Sequence, residues 1–209
     1  MSEPTIESSE FRHPASDMIR SVTEYPGPQI DIEGASSEFD RFIEKYVWSI
    51  TDTRPYSPRT LVGSLFLATN IGFVITSIYF FRVQDPYASL TAVLTDIAAV
   101  ASFVYHYRQL DLGPDIRVRA VLAIDYVVAI STIVCSLPYF WKIILEYGAS
   151  NELEVSLSIF LGTASLIFFL IGGVSSGLQY ITYHSMWHIL SAASASLIGS
   201  VASSGVIGR

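Results

Sequence analysis

Apolar residues occur in long runs after about residue 60, and short stretches containing Gly, Pro and charged residues separate these runs. Each run approaches the roughly 20 residues that a helix needs to cross a hydrocarbon core of about 30 Å. The pattern therefore predicts an all-α fold, a polytopic transmembrane helical bundle of about five spans. The predicted spans are approximately 61–81, 88–107, 120–137, 156–175 and 178–202.

A shorter apolar run, 139–147, lies between the third and fourth spans and is interrupted by Lys142 and Glu146. It is too short to cross a membrane, so the sequence predicts an interfacial segment. Its aromatic residues would form a belt at the level of the lipid head groups. These residues are Tyr139, Phe140, Trp141 and Tyr147.

The first 59 residues have a different pattern. Residues 1–35 are rich in Ser, Glu, Pro and Gly, which predicts a disordered acidic tail. In residues 36–59 apolar side chains recur at the spacing of one helical face and charged ones take the opposite face, so we expect an amphipathic helix and a linker. This helix would lie on a membrane surface or pack against a protein neighbour. Residues 60–209 form the predicted transmembrane domain.

Composition supports a membrane protein. Of 209 residues 51% are hydrophobic and 15% are charged, whereas soluble domains have about 25% charged residues. The formal net charge is −7, and the first 59 residues hold eleven acidic and six basic side chains. A basic surface for nucleic acid is therefore not expected. Counting Lys and Arg near the spans favours a cytoplasmic N-terminus.

Ionisable residues at membrane depth are costly and usually functional. Three of the four histidines, and two aspartates, fall in or at the ends of predicted spans. Asp96 lies on a helix face turned away from His106, so we interpret it as an interhelical polar contact satisfied by Asn70 or by Thr hydroxyls, with a proton relay as the alternative. The remaining ionisable residues in or at the ends of the predicted spans are His106, Asp125, His184 and His188.

The spacing of the remaining residues suggests a metal site. His184 and His188 are four residues apart, which places both imidazoles on one face of a helix, and Ser102 and His106 repeat that spacing in the second span. With five crossings, these residues and Asp125 all fall in one leaflet.

Three neutral imidazoles with an open fourth position are typical of catalytic zinc sites. His106, His184 and His188 are therefore the expected zinc ligands. Asp125 would accept a proton from water, and Ser102 would donate a hydrogen bond to the water or to an oxyanion. Two structural interpretations stay open. His106 can instead bond a backbone carbonyl, and Ser102 can bond back to the preceding turn.

These motifs resemble those of the CREST superfamily of membrane hydrolases. The motifs are Ser102-Phe-Val-Tyr-His106, Asp125-Tyr126 and His184-Ser-Met-Trp-His188-Ile, and the last is most similar to the branch of myomaker and the GPI phospholipases. The resemblance covers about residues 61–202. It implies zinc at the three histidines, flanked by Asp125 and Ser102, and hydrolysis of ester or amide bonds in lipids. Family members usually have seven spans, whereas this sequence predicts five.

The expected function is that of a zinc-dependent membrane hydrolase that cleaves an ester or amide acyl bond in a membrane lipid. The alternative is a non-catalytic membrane-remodelling or fusion protein of the myomaker type, with a structural metal site. A small transporter would need broken helices or paired repeats, and the sequence contains no convincing internal repeat.

Overall fold

The computed structural model describes Glu38 and residues 48–207, and no strand occurs among them. The all-α prediction is confirmed for this part of the chain. A 3-10 helix, Arg54–Tyr56, precedes the first α-helix, and a second, Gly148–Ser150, joins the fourth to the fifth. The α-helices are α1 (Leu61–Ala68), α2 (Ile71–Phe81), α3 (Pro86–Leu112), α4 (Ile116–Tyr147), α5 (Glu152–Gly173) and α6 (Gly177–Ile207).

Four helical segments of the described chain are long and apolar enough to cross a membrane, which supports a multi-pass membrane protein. They are Leu61–Phe81, Pro86–Leu112, Ile116–Ser150 and Glu152–Gly173. The fifth predicted span, 178–202, is not among these four. It lies within α6, whose 31 residues extend about 46 Å and mix apolar residues with Ser, His and Gln.

The outward faces of these helices are apolar. On α4, Val127, Ile130, Val134 and Leu137 are each more than half exposed. Exposed apolar surface on this scale is costly in water and favourable in lipid. The helices therefore have the surface expected of a membrane-embedded bundle.

Side chains at the predicted breaks cap the helices. The Asp85 carboxylate accepts hydrogen bonds from the backbone N–H groups of Tyr87 and Ala88 at 2.7 and 3.2 Å, with Pro86 as the first helical residue. Asp115 caps α4 in the same way. Between α3 and α4 the chain turns at Gly113, whose φ of 65° suits a residue without a Cβ.

The first span is two helices, not one. At Thr69 and Asn70 the backbone N–H groups bond to carbonyls three residues back, Phe66 and Leu67, both at 3.2 Å. The Thr69 hydroxyl also donates to the Phe66 carbonyl at 2.6 Å. This tight turn separates α1 from α2 and directs Thr69 towards the interior of the bundle.

Residues 139–147 are not separate from the third predicted span, because α4 continues through Pro138 to Tyr147. In lipid, backbone groups freed by a proline find no water, so continuing the helix is the lower-energy path. Tyr139 does not belong to a surface belt. It is buried against Phe80, with ring centroids 6.2 Å apart, whereas Trp141 is exposed.

Small residues of α6 allow close helix contacts, as their sequence suggested. Ser158 of α5 and Ser194 of α6 each donate to the other's backbone carbonyl, at 2.9 and 2.8 Å. A Cβ added at Gly162 would lie 3.1 Å from the Ser194 hydroxyl oxygen. The α5–α6 pair is therefore closely packed.

The predicted acidic tail, 1–35, and most of the amphipathic helix lie outside the described residues. Residues 48–50, at the end of that helical pattern, are not helical. Ile50 is instead buried in a cluster with Tyr105, Val118 and Leu122. The chain that precedes α1 therefore packs onto the ends of α3 and α4.

Candidate metal centre

The three predicted histidines meet inside the bundle. His106 lies near the end of α3, and His184 and His188 lie near the start of α6. The ring centroids of His106 are 4.7 Å from His184 and 5.3 Å from His188, and those of His184 and His188 are 4.8 Å apart. His106 is fully buried and His188 nearly so. Position 106 thus faces the bundle interior and not the lipid.

Phe66 forms an apolar wall against the three histidines. The ring of Phe66, in α1, is 4.6 Å from His106, 6.0 Å from His184 and 6.2 Å from His188, centroid to centroid. Phe66 is only 1% exposed. Such a wall limits access of water and strengthens electrostatic interactions inside the site.

A chain of hydrogen bonds determines the tautomer of His106. The Thr51 carbonyl can only accept, and Gln109 Nε2 donates to it at 3.2 Å. The Gln109 carboxamide oxygen therefore faces His106 Nδ1, 3.0 Å away, so Nδ1 must carry the proton. His106 Nε2 is then an unprotonated acceptor, and it is buried without a hydrogen-bond partner among the described residues. A buried lone pair of this kind suits a metal ligand.

His188 is held by an equivalent chain. The Thr69 hydroxyl donates its proton to the Phe66 carbonyl at 2.6 Å, so its oxygen can only accept from His188 Nδ1, 2.8 Å away. Nδ1 is therefore protonated, and Nε2 is an unprotonated nitrogen that can bind a metal. Hydrogen bonds that fix the non-ligating nitrogen are typical of metal-binding histidines.

His184 is oriented by packing. Its ring stacks on Tyr180, with centroids 5.0 Å apart and an interplanar angle of 25°. Its Nδ1 lies 3.9 Å from the position that a Cβ of Gly172 would occupy, so this edge faces α5. A Cβ at Gly172 would make only ordinary van der Waals contact with this imidazole.

One ring nitrogen from each histidine lies within 4.8 Å of the other two, so the group could hold a metal ion. Ligand nitrogens at a tetrahedral zinc ion are about 3.3 Å apart, given bonds of 2.0 to 2.1 Å. The cluster is thus wider than a closed tetrahedral set. Binding a zinc ion would require the imidazole nitrogens to move closer together.

Ser102 lies in the same site. It is buried, and its hydroxyl oxygen is 3.4 Å from His188 Nε2. Because His188 Nε2 is unprotonated, the Ser102 hydroxyl is the donor of this contact. The structure thus gives Ser102 a partner across the bundle in place of a bond to its own helix.

Asp125 lies one helix away from the histidines, on α4. Asp125 lies close to Tyr105 and Tyr180. No hydrogen bond joins it to His106, His184 or His188 within the described part of the chain. Tyr180 also stacks on His184, so Tyr180 connects Asp125 with the histidine cluster.

The predicted partners of Asp96 are not found. Its Oδ1 is buried without a hydrogen-bond partner among the described residues. Asn70 donates instead to the Leu67 carbonyl at 3.1 Å, and Thr95 to the Thr91 carbonyl at 2.8 Å. These polar groups satisfy the backbone of their own segments, so the prediction for Asp96 is wrong.

Three residues that hold the histidines were not predicted. Gln109 accepts from His106, Thr69 accepts from His188, and Tyr180 packs on His184. Gln109 follows His106 by three residues, and Tyr180 precedes His184 by four. These spacings place each pair on one helix face and were detectable signals. Nothing in the sequence relates Thr69 to His188, which is 119 residues away.

No family model matches this chain, and no curated protein or solved structure matches it. Function must therefore be inferred from the histidine cluster and its surroundings.

Proposed function

We propose that this chain is a zinc-dependent membrane hydrolase that cleaves an ester or amide acyl bond in a membrane lipid. One observation carries the proposal. Three imidazoles from two helices, with His184 half-buried and the other two buried, place ring nitrogens within 4.8 Å of one another, and the hydrogen bonds of His106 and His188 leave Nε2 unprotonated.

The donor set is compatible with zinc. Neutral imidazoles bind zinc, copper, iron and nickel. Three of them at a four-coordinate metal leave the fourth position for water or substrate. The chemistry that zinc supplies in such a site is polarisation of a carbonyl and a water pKa lowered towards 7.

The surrounding side chains have complementary roles. The Ser102 hydroxyl, 3.4 Å from His188 Nε2, donates to the oxygen on which negative charge develops when water attacks the acyl carbon. Asp125, on the neighbouring helix, has no direct contact with the histidines, so it would accept the proton of that water through one intervening water molecule. The proton passes to the leaving oxygen or nitrogen as its bond to the acyl carbon breaks.

An apolar groove beside the site supports a lipid substrate. It lies between the α1–α2 break and α6, has a volume of about 540 Å³, and its lining includes Leu65, Thr69, Ile75, Ile189 and Ala192. Ligand pockets commonly have volumes of about 300 to 1,000 Å³. Thr69 both lines the groove and hydrogen-bonds His188, so an acyl chain in the groove would have its polar end near the histidines.

Metal analysis of detergent-purified protein tests the metal centre. We expect about one zinc per chain in the wild type and its loss in His106→Ala, His184→Ala and His188→Ala. His13→Ala is the matched control, because it makes the same change at the fourth histidine of the sequence. Zinc content that is unchanged in all three variants contradicts the proposal.

Lipid hydrolysis tests the chemistry. Wild-type protein in vesicles of mixed phospholipids and sphingolipids should release fatty acid or lysolipid, measured by mass spectrometry. Ser102→Ala should keep its zinc and lower the rate by about 10²- to 10³-fold, as for the loss of an oxyanion donor.

The second candidate is a membrane-remodelling protein with a structural metal site. The burial of His106 and His188 favours it, because structural metal sites are closed to solvent and substrate. Zinc bound by the three histidines, with no release of lipid products from any class tested, would support this candidate over the hydrolase.

A further inference from the structure

The segment just before α1 reaches the metal centre. We define residues 50–57 as the strap. Thr51, Asp52 and Thr53 are buried although they belong to no helix. A buried loop needs partners for its backbone polar groups, and the Thr51 carbonyl finds one in Gln109 Nε2 at 3.2 Å. The strap is thus joined by a single carboxamide to His106.

Several contacts hold the strap in place. The Thr51 hydroxyl donates to the Ser175 carbonyl at 3.4 Å, between α5 and α6. Asp52 pairs with Arg54, and Arg54 lies so close to the α3–α4 turn that a Cβ at Gly113 would be 2.9 Å from its Nε. The strap therefore covers the end of the bundle where the histidines lie.

Gln109 uses both ends of its carboxamide. Its oxygen accepts from His106 Nδ1 at 3.0 Å and from the Tyr180 hydroxyl at 3.5 Å, while its nitrogen donates to Thr51. The Thr51 carbonyl can only accept, so it determines which end of the amide faces His106. Without the strap, the amide could turn over and place an N–H against Nδ1.

From this geometry we propose that Gln109 is a positioning residue through which the strap holds His106 in its metal-binding tautomer. The inference rests on the proposed function, because it assumes that His106 binds a metal. Outer partners of metal-binding histidines typically change metal affinity by about 10- to 100-fold. The coupling is reciprocal, so a metal on His106 also stabilises the strap.

Two substitutions at Gln109 distinguish its contact with His106 from its contact with Thr51. Gln109→Leu removes the acceptor for His106 and the donor to Thr51. Gln109→Glu keeps an acceptor for His106 Nδ1 but places a carboxylate oxygen against the Thr51 carbonyl. Gln179→Leu is the matched control, because Gln179 is exposed on α6.

Zinc affinity of the purified full chain is measured by competition with a chelator, and strap mobility by hydrogen exchange of residues 50–57 with and without zinc. Gln109→Leu should weaken zinc affinity by about 10- to 100-fold, and Gln179→Leu should not change it. Gln109→Glu should bind zinc more tightly than Gln109→Leu, yet exchange faster in the strap. Zinc should slow strap exchange in the wild type but not in either Gln109 variant.

Two results overturn the inference. The first is a Gln109→Leu variant that binds zinc as tightly as the wild type does. The second is hydrogen exchange in the wild-type strap that zinc does not slow. If the wild type binds no zinc, the proposed function fails as well. If the wild type binds zinc and only the Gln109 variants behave unexpectedly, the proposed metal centre stands and the role of the strap is refuted.

Discussion

Thr69→Val isolates the hydrogen bond that holds His188. Valine has nearly the shape of threonine but no hydroxyl, so His188 Nδ1 loses the acceptor that lies 2.8 Å away. A buried donor without a partner costs about 1 to 3 kcal/mol. His188 can avoid this cost by moving its proton to Nε2, where the Ser102 oxygen is 3.4 Å distant. Zinc needs an unprotonated Nε2, so zinc binding must return the proton to Nδ1 at a cost of about 1 to 3 kcal/mol. We therefore expect the Kd for zinc to rise by roughly 5- to 150-fold.

The assay is competition between the purified protein and a chelator for zinc. Thr163→Val is the matched control, because the exposed Thr163 hydroxyl also donates to a backbone carbonyl, that of Ile159 at 2.8 Å, but lies on α5. It should leave zinc affinity unchanged. Equal zinc affinities for Thr69→Val and the wild type would refute the assignment of His188 Nε2 as a metal ligand held by Thr69.

Three further predictions concern stability. A Cβ at Gly199 would lie 2.8 Å from Cβ of Tyr79, so Gly199→Ala should destabilise the α2–α6 contact by about 1 to 3 kcal/mol. The measurement is the melting temperature in detergent. Gly173→Ala is the control and should not lower it, because the space around Gly173 is open. The hydrogen bond from Arg54 holds the pKa of Asp52 below its ordinary value of 3.8, so this pair stabilises the fold above about pH 4 and its contribution is lost as the pH falls through the lowered pKa. Asp52→Asn should therefore make the unfolding midpoint less sensitive to pH between 5 and 3, and an unchanged sensitivity would contradict this. Zinc at a thousand times its Kd stabilises by about 4 kcal/mol, so a chelator should lower Tm by roughly 8 to 16 °C; no shift would mean that the folded chain holds no such metal.

The helical class of the chain and the places where its helices break were largely predictable from the sequence, because they depend on local chemistry. Long apolar runs must form helices in lipid, where each backbone group needs an internal partner. Asp85 and Asp115 cap the helices that follow them. The continuity of α4 through Pro138 was not predictable in this way, because it depends on the packing of Tyr139 against Phe80.

The sequence by itself determined that three histidines belong to one site. The four-residue spacing of His184 and His188 sets their common face, and the parity of the crossings places His106 at the same end of the bundle. Tertiary structure alone decided which side chains hold these imidazoles. Thr69 lies at the break in the first span, and the Thr51 carbonyl lies 58 residues before its partner Gln109. Such contacts join segments distant along the chain, and their geometry exists only once the helices have packed.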